Sequence, residues 1–190
     1  MIAETLEIFP SKIFIIKDFL NADEQQLFHD ILDNIKATGS NIRNSGVYLR
    51  DHRKDFVTDK LDFFYTKTKD LVQQYYNLDV DIYEARYNHM SIGDSLLFHH
   101  HMNLTDWDKP NLKSFCLLTG CYYTNSGQGF AKLRFNNPQL LSRFIGEPSS
   151  VNIEPEPNSF ILFPSWILHG TTSHDSDVTR KCLVMEMTLK

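Results

Sequence analysis

Hydrophobic residues recur at helical spacing in two segments near the start of the chain. The first segment predicts a helix over residues 22–37, and its apolar positions are Leu27, Phe28, Ile31, Leu32 and Ile35. Asn21 and Glu24 form a capping pair at its beginning, and Gly39 ends it. The second segment predicts a helix over residues 58–77. Because each helix has one apolar face, we expect both to pack on the outside of a sheet.

Short runs rich in β-branched and aromatic residues indicate strands before and after these helices. Two of them open the chain, over residues 6–10 and 13–16. The later ones span residues 80–87, 96–102, 113–124, 131–135, 151–153, 159–163 and 180–189. Two helices followed by many short strands predict an α+β chain, and we expect one domain over residues 1–190 that forms a cupin-like jelly roll with the helices outside.

Two segments between these elements lack a clear period. Residues 40–55 are polar, which favours a solvated loop, with a substrate-facing lid as the alternative. Residues 136–150 have apolar positions at helical spacing and predict a short helix or an ordered loop.

Composition narrows the classes of partner. The net charge is −5 and the basic residues are scattered, so the charge pattern indicates neither a nucleic acid nor an anionic membrane. No apolar run approaches the roughly 20 residues that cross a bilayer, and the N-terminus lacks the pattern of a signal peptide. Cys116, Cys121 and Cys182 lack zinc-type spacing and lie in apolar segments, which indicates buried free thiols in a reducing compartment. We therefore expect a soluble, cytoplasmic protein.

Three consecutive histidines, His99, His100 and His101, lie in one predicted strand. Side chains alternate along a strand, so His99 and His101 should point to one face and His100 to the other. His169 is a third imidazole, far along the chain, that could converge on the same point. Two close histidines and one distant histidine can hold a catalytic metal and leave coordination positions open. The alternatives are a surface run of histidines and a core role for His169.

Arg180 begins the last predicted strand, eleven residues after His169. A buried arginine needs an anionic partner, and its planar guanidinium matches a carboxylate. The alternative partner is internal, either Glu186 or Asp177.

The order of these motifs resembles that of the Fe(II)- and 2-oxoglutarate-dependent oxygenases, and especially their microbial and phage subgroup related to prolyl hydroxylases. That subgroup has a glycine before H-x-H, then a strand like S-G-x-Y-Y, then one like G-x-L-x-x-F-P-S-W-x-x-H. Here Gly93 precedes the histidines, residues 119–123 are Thr-Gly-Cys-Tyr-Tyr, and Phe-Pro-Ser-Trp at residues 163–166 precedes His169. Residues 131–138 are similar to the strand that ends in a proline turn. The resemblance covers residues 6–189 and implies a double-stranded β-helix.

For the metal, the resemblance implies Fe(II) ligation by His99, His101 and His169. His101 would occupy the position where the wider superfamily has a carboxylate, which is the main departure from the family pattern. Asn103 or Asp106 could supply an oxygen ligand instead.

For the co-substrate, the resemblance implies that Arg180 and Tyr123 bind the far carboxylate of 2-oxoglutarate, and Tyr87 resembles a further co-substrate tyrosine. Residues 105–111, which include Trp107, would form a wall of the substrate pocket. The implied reaction uses 2-oxoglutarate and O2 to hydroxylate an unidentified substrate, such as a peptidyl or free amino acid, and releases succinate and CO2. The alternatives are a non-catalytic cupin-like jelly roll that binds a metal or ligand, and a three-histidine dioxygenase without a co-substrate.

Overall fold

The structure, a computed structural model, describes residues 2–8, 11–37, 42–43, 46–51, 56–57, 59–101, 116–137 and 148–190. Two helices, α1 (Ala22–Ala37) and α2 (Asp62–Tyr76), lie in the first half of the chain, and a 3-10 turn over Asp59–Leu61 leads into α2. The strands are β1 (Ile2–Ile8), β2 (Ser11–Lys17), β3 (Ile42–Arg43), β4 (Gly46–Asp51), β5 (Phe56–Val57), β6 (Val80–Met90), β7 (Leu118–Tyr123), β8 (Leu133–Asn136), β9 (Ser150–Ile153), β10 (Ser159–Pro164), β11 (His169–Thr171) and β12 (Arg180–Leu189).

These strands form two antiparallel sheets. The larger sheet has the order β1-β2-β10-β7-β12-β6-β4-β3, with β5 paired to β4, and the smaller has the order β11-β8-β9. Strands that are distant in sequence are therefore neighbours, as in the crossing connections of a jelly roll. The predicted α+β jelly roll is confirmed.

Both helices pack on the outer face of the larger sheet, as predicted. The Asn21 backbone N–H donates to the Glu24 carboxylate at 2.8 Å and the Glu24 N–H donates to Asn21 Oδ1 at 2.9 Å, which confirms the capping pair at the start of α1. Phe28 of α1 and Phe64 of α2 each place their ring centroid 5.1 Å from that of Tyr122 on β7. This aromatic contact anchors the helices to the centre of the sheet.

A second core fills the space between the two sheets. Its buried members are Ile13, Cys121, Tyr123, Leu133, Phe135, Ile153, Ile161, Phe163, Ile167 and Cys182. Because side chains alternate along β7, Tyr122 belongs to the helix side and Tyr123 to the space between the sheets. The inner face of the larger sheet is the wall on which the candidate site is built.

The polar segment 40–55 was predicted as a loop, and this prediction is wrong for its described parts. β3 and β4 lie there, and β4 pairs with β6 to extend the larger sheet towards one edge. Strands near an edge do not need two apolar faces, so their sequence carries no strong hydrophobic alternation. Of the segment 136–150, residues 138–147 lie outside the described residues.

The three cysteines are free and buried, as predicted. Neither α1 nor α2, the two α-helices of the described part of the chain, is both long and apolar enough to cross a membrane.

Candidate metal centre

Three of the predicted histidines lie together. One ring nitrogen from each of His99, His101 and His169 falls within 4.8 Å of the others, and the Nε2 atoms of His101 and His169 are 3.1 Å apart. His169 is buried, His99 is half-buried, the His101 side chain is only 8% exposed, and His100 is exposed. The alternation predicted for residues 99–101 is therefore present at the cluster.

The segment that carries His99 and His101 is not the regular strand predicted over residues 96–102. His99 and His169 exchange both backbone hydrogen bonds, at 2.8 and 2.9 Å. The next bond runs from the Thr171 N–H to the Leu96 carbonyl oxygen at 3.0 Å. Leu97 and Phe98 thus lie between the bonded residues 96 and 99 of one segment. Only one residue lies between the bonded residues 169 and 171 of the other, so the first segment contains a β-bulge.

Gly170 is the single residue opposite this bulge. A Cβ at Gly170 would lie 2.6 Å from the Leu96 carbonyl oxygen, so any larger residue would push the two segments apart. The close approach holds His99 against His169, with their ring centroids 4.6 Å apart.

The Phe-Pro-Ser-Trp motif forms the turn that sets the position of His101. The His101 N–H donates to the Ser165 carbonyl oxygen at 3.1 Å, and the Ile167 N–H closes the turn on the Pro164 carbonyl oxygen at 3.1 Å. The Ser165 hydroxyl is itself held by Thr119 Oγ1 at 2.8 Å. The motif therefore ties the backbone of His101 to the segment that leads to His169.

Hydrogen bonds to the far side of the rings determine which nitrogen faces the cluster. The Nδ1 atoms of His99 and His169 lie 2.8 Å from the carbonyl oxygens of Leu97 and Ile167. A carbonyl oxygen only accepts, so Nδ1 carries the proton and Nε2 keeps a free lone pair. His101 Nδ1 makes the corresponding contact with a carboxylate, that of Glu186, at 2.6 Å.

Burial favours the neutral form of the His99 and His169 imidazoles. It lowers the pKa of His169 to about 3, with a further contribution from neighbouring His101, and it also lowers the pKa of His99. The Nε2 atoms of His99 and His169 are therefore available to a metal, and Nε2 of His101 lies 3.1 Å from Nε2 of His169. Three imidazole nitrogens this close together could bind one divalent cation, so the donor set fits Fe(II) or a similar metal.

Arg180 and Tyr123 line the same pocket as the three histidines. Arg180 is only 3% exposed, and its guanidinium donates to Met90 Sδ at 3.1 Å. Arg180 Nε and the Tyr123 hydroxyl are both buried and have no hydrogen-bond partner among the described residues. Burial raises the pKa of Tyr123, so its hydroxyl stays protonated and can donate. A carboxylate placed between them would satisfy both groups.

The internal partners considered for Arg180 do not occupy this position. Glu186 bonds to His101 instead, and Asp177 is exposed. Within the described part of the chain, no ion pair joins Arg180 to a carboxylate.

Tyr87 is not brought to the pocket. Its side chain belongs to the core between the helices and the larger sheet, and its hydroxyl lies 3.2 Å from Thr124 Oγ1. The inward-facing residues of β6 at this level are Arg86 and Asn88, which line the pocket and were not selected from the sequence. The expectation of a third co-substrate residue at Tyr87 is corrected accordingly.

A β-bulge in β6 explains this difference. Glu84 pairs with Glu186, but the next pair joins Ile82 to Met187, so Tyr83 is an extra residue. An extra residue reverses the two faces of a strand, and the alternation that starts at Ile82 cannot be extended to Tyr87.

Several expected residues lie outside the described part of the chain. Asn103 and Asp106, the alternative third ligands, are among them, as are residues 105–111 with Trp107. Glu186 was considered only as a partner of Arg180. Alternation from Arg180 puts both residues on one face of β12, and this pattern could have indicated that Glu186 also faces the site.

No protein-family model and no curated protein sequence matches the chain. Solved structures do match it over nearly its whole length. EctD from S. alaskensis, solved with 2-oxoglutarate and 5-hydroxyectoine, is 12% identical with a TM-score of 0.71, over 93% of this chain and 72% of EctD.

Two further structures are similar. The viral collagen prolyl hydroxylase vCPH from Paramecium Bursaria Chlorella virus-1, a 2-oxoglutarate complex, is 16% identical with a TM-score of 0.67, over 94% of this chain and 96% of vCPH. HygX from Streptomyces hygroscopicus, with nickel and 2-oxoglutarate bound, is 11% identical with a TM-score of 0.67, over 94% of this chain and 83% of HygX. The chain therefore shares the fold of these three proteins, each solved with 2-oxoglutarate, and the resemblance is confirmed at the level of the fold.

Proposed function

We propose that the protein is an Fe(II)- and 2-oxoglutarate-dependent dioxygenase that hydroxylates its substrate. The observation that carries the proposal is the buried pair formed by Arg180 and Tyr123, which have unused hydrogen-bonding groups in the pocket that also contains the three histidines. A metal-binding jelly roll without a co-substrate has no need of a cation and a phenol in this position. A co-substrate with a carboxylate at its far end needs both.

Each group has a distinct task in this proposal. His99, His101 and His169 hold Fe(II) through their Nε2 atoms, and Arg180 and Tyr123 orient 2-oxoglutarate by its far carboxylate. Fe(II) held there would supply the activation of O2. In the overall reaction, 2-oxoglutarate loses CO2 to give succinate, which takes one oxygen atom of O2, and the other oxygen atom converts a substrate C–H bond to C–OH. The surrounding buried side chains keep water away from the reacting groups.

The substrates to test first are free and peptidyl amino acids. Among the similar structures, one is named a collagen prolyl hydroxylase and another contains 5-hydroxyectoine, and these names motivate that choice. We also propose a cytoplasmic location, because the three buried cysteines are free.

The test is succinate formation by the purified protein with Fe(II), 2-oxoglutarate and O2, first without a substrate and then across a panel of amino acids and peptides. We expect slow succinate release without a substrate and faster release with the correct one. Metal-free protein and the Arg180→Ala variant are the controls. Iron binding without succinate above these controls would favour a metal-binding jelly roll, and O2 consumption without 2-oxoglutarate would favour a three-histidine dioxygenase.

A further inference from the structure

Glu186 makes a short contact with one of the three clustered histidines. Its Oε1 atom lies 2.6 Å from Nδ1 of His101, and the side chains of His101 and Glu186 are only 8% and 15% exposed. Glu186 extends from β12, the strand at the centre of the larger sheet that also carries Arg180. The contact therefore rests on a rigid element and not on a loop.

The contact is on the side of the ring that faces away from the cluster. Nδ1 of His101 points to Glu186, whereas Nε2 points to His169 at 3.1 Å. A carboxylate that accepts the Nδ1 proton fixes the tautomer in which Nε2 has a free lone pair, and it also fixes the orientation of the ring.

The three histidines differ in what holds them. The rings of His99 and His169 are oriented by neutral backbone carbonyl groups, and only His101 is oriented by a carboxylate. A metal site with two histidines and one carboxylate has an anionic ligand at the position that His101 occupies here. The three ligands of this site carry no such charge, but the Glu186 carboxylate is bonded to the far side of the His101 ring.

This charge matters because the surroundings are partly shielded from water. Three neutral imidazoles leave the full charge of a divalent cation uncompensated, and Arg86 and Arg180 add positive charge to the same pocket. A carboxylate bonded to a ligand ring makes that ring a better electron donor and offsets part of the cationic charge.

We propose that Glu186 is a positioning residue of the metal centre, which orients His101 through Nδ1 and supplies, through that imidazole, the negative charge that a carboxylate ligand would otherwise provide. The inference rests on the proposed metal site. It concerns metal affinity and ring geometry, which can be measured without any turnover.

The test compares three variants of the full-length chain by anaerobic calorimetry with Fe(II). Glu186→Gln keeps a hydrogen-bond acceptor but removes the charge, and Glu186→Ala removes both. Glu84→Gln is the matched control. Glu84 lies directly opposite Glu186 in the β6–β12 pair and is similarly buried. Its described ion pair is with Arg86, at 3.5 Å, and not with a histidine of the cluster.

We expect Fe(II) affinity to fall about 10-fold in Glu186→Gln and towards about 100-fold in Glu186→Ala, the range seen when partners of ligating histidines are removed. Glu84→Gln should change it far less. Nitrogen NMR of the metal-free protein should show the Nδ1-protonated form of His101 in the wild type and a mixture of tautomers in Glu186→Ala. A purely structural role for Glu186 would not alter this tautomer.

The outcomes are distinguishable from failure of the proposed function. Wild-type protein that binds no Fe(II) overturns both proposals. If the wild type binds Fe(II) and both Glu186→Gln and Glu186→Ala bind it with the same affinity as the wild type, the proposed role of Glu186 is overturned and the proposed metal site is not. A loss only in Glu186→Ala overturns the contribution of charge. Should Glu186→Ala fail to fold, the isosteric Glu186→Gln variant decides the question.

Discussion

The guanidinium carbon of Arg180 on β12 lies 4.9 Å from the ring centroid of Tyr123 on the adjacent strand β7. The stacking orients both side chains without using the polar groups that face the pocket. Arg180→Ala should therefore leave Fe(II) binding nearly intact and weaken 2-oxoglutarate binding by about 1.5 to 3 kcal/mol, the scale of a charge-assisted hydrogen bond. Anaerobic titration of 2-oxoglutarate into the metal-loaded variant measures this. An unchanged affinity would mean that Arg180 serves another purpose.

Removing the Arg180 charge also tests whether it stabilises the fold. A buried cation without a carboxylate partner destabilises the folded, ligand-free protein. Arg180→Met should therefore leave the free energy of unfolding unchanged or raise it by up to about 1 kcal/mol. Denaturant unfolding without metal and co-substrate gives this value. A loss of about 3 kcal/mol or more, typical of a broken buried ion pair, would point to an internal partner.

The two adjacent tyrosines of β7 provide a matched pair of substitutions. Tyr123→Phe removes a hydroxyl that has no partner in the described structure, so 2-oxoglutarate binding should weaken by about 1 kcal/mol with little change in stability. Tyr122→Phe removes a hydrogen bond of 3.2 Å to Asn158 on the opposite face, so it should lower stability and leave 2-oxoglutarate binding unchanged. Calorimetry and denaturant unfolding of both variants separate the two effects. Equal losses of 2-oxoglutarate affinity would contradict the assignment of faces.

The histidine run gives a prediction about metal content. His101 faces His169 whereas His100 is exposed, so His101→Ala should abolish iron binding and His100→Ala should not. Iron content of the purified variants is the measurement, with thermal stability as the check on folding. Asn103→Ala and Asp106→Ala belong in the same series. Iron loss in Asp106→Ala with retention in His101→Ala would restore a two-histidine, one-carboxylate site.

Packing at the centre of the larger sheet predicts a purely structural effect. A Cβ at Gly120 would clash with Cζ of Phe160, which is fully buried. Gly120→Ala should lower the free energy of unfolding by about 1 to 3 kcal/mol, the usual effect of overpacking. Adding Phe160→Leu should recover part of this loss. Denaturant unfolding of the single and double variants checks it, and a neutral Gly120→Ala would show that the ring can move aside.

Much of the fold and of the histidine cluster follows from periodicity. The helix over residues 22–37, with its capping pair Asn21 and Glu24, matches α1, and the alternation within residues 99–101 separates His100 from the cluster. These features are local, since they depend on the spacing of a few residues along one element.

The errors at the candidate site share one physical cause, which is the β-bulge. An extra residue at Tyr83 turns Tyr87 to the helix side and brings Arg86 and Asn88 to the pocket. A second bulge opposite Gly170 breaks the strand predicted over residues 96–102. Bulges are determined by pairing between distant segments, so hydrophobic alternation in one strand does not reveal them.

The central claim is that the three histidines hold a metal beside a site for 2-oxoglutarate, and a crystal structure grown anaerobically with Fe(II) and 2-oxoglutarate tests it most directly. The account predicts iron bonded to Nε2 of His99, His101 and His169, with the far carboxylate of 2-oxoglutarate against Arg180 and Tyr123. Iron bound elsewhere, or 2-oxoglutarate held away from Arg180, would contradict it.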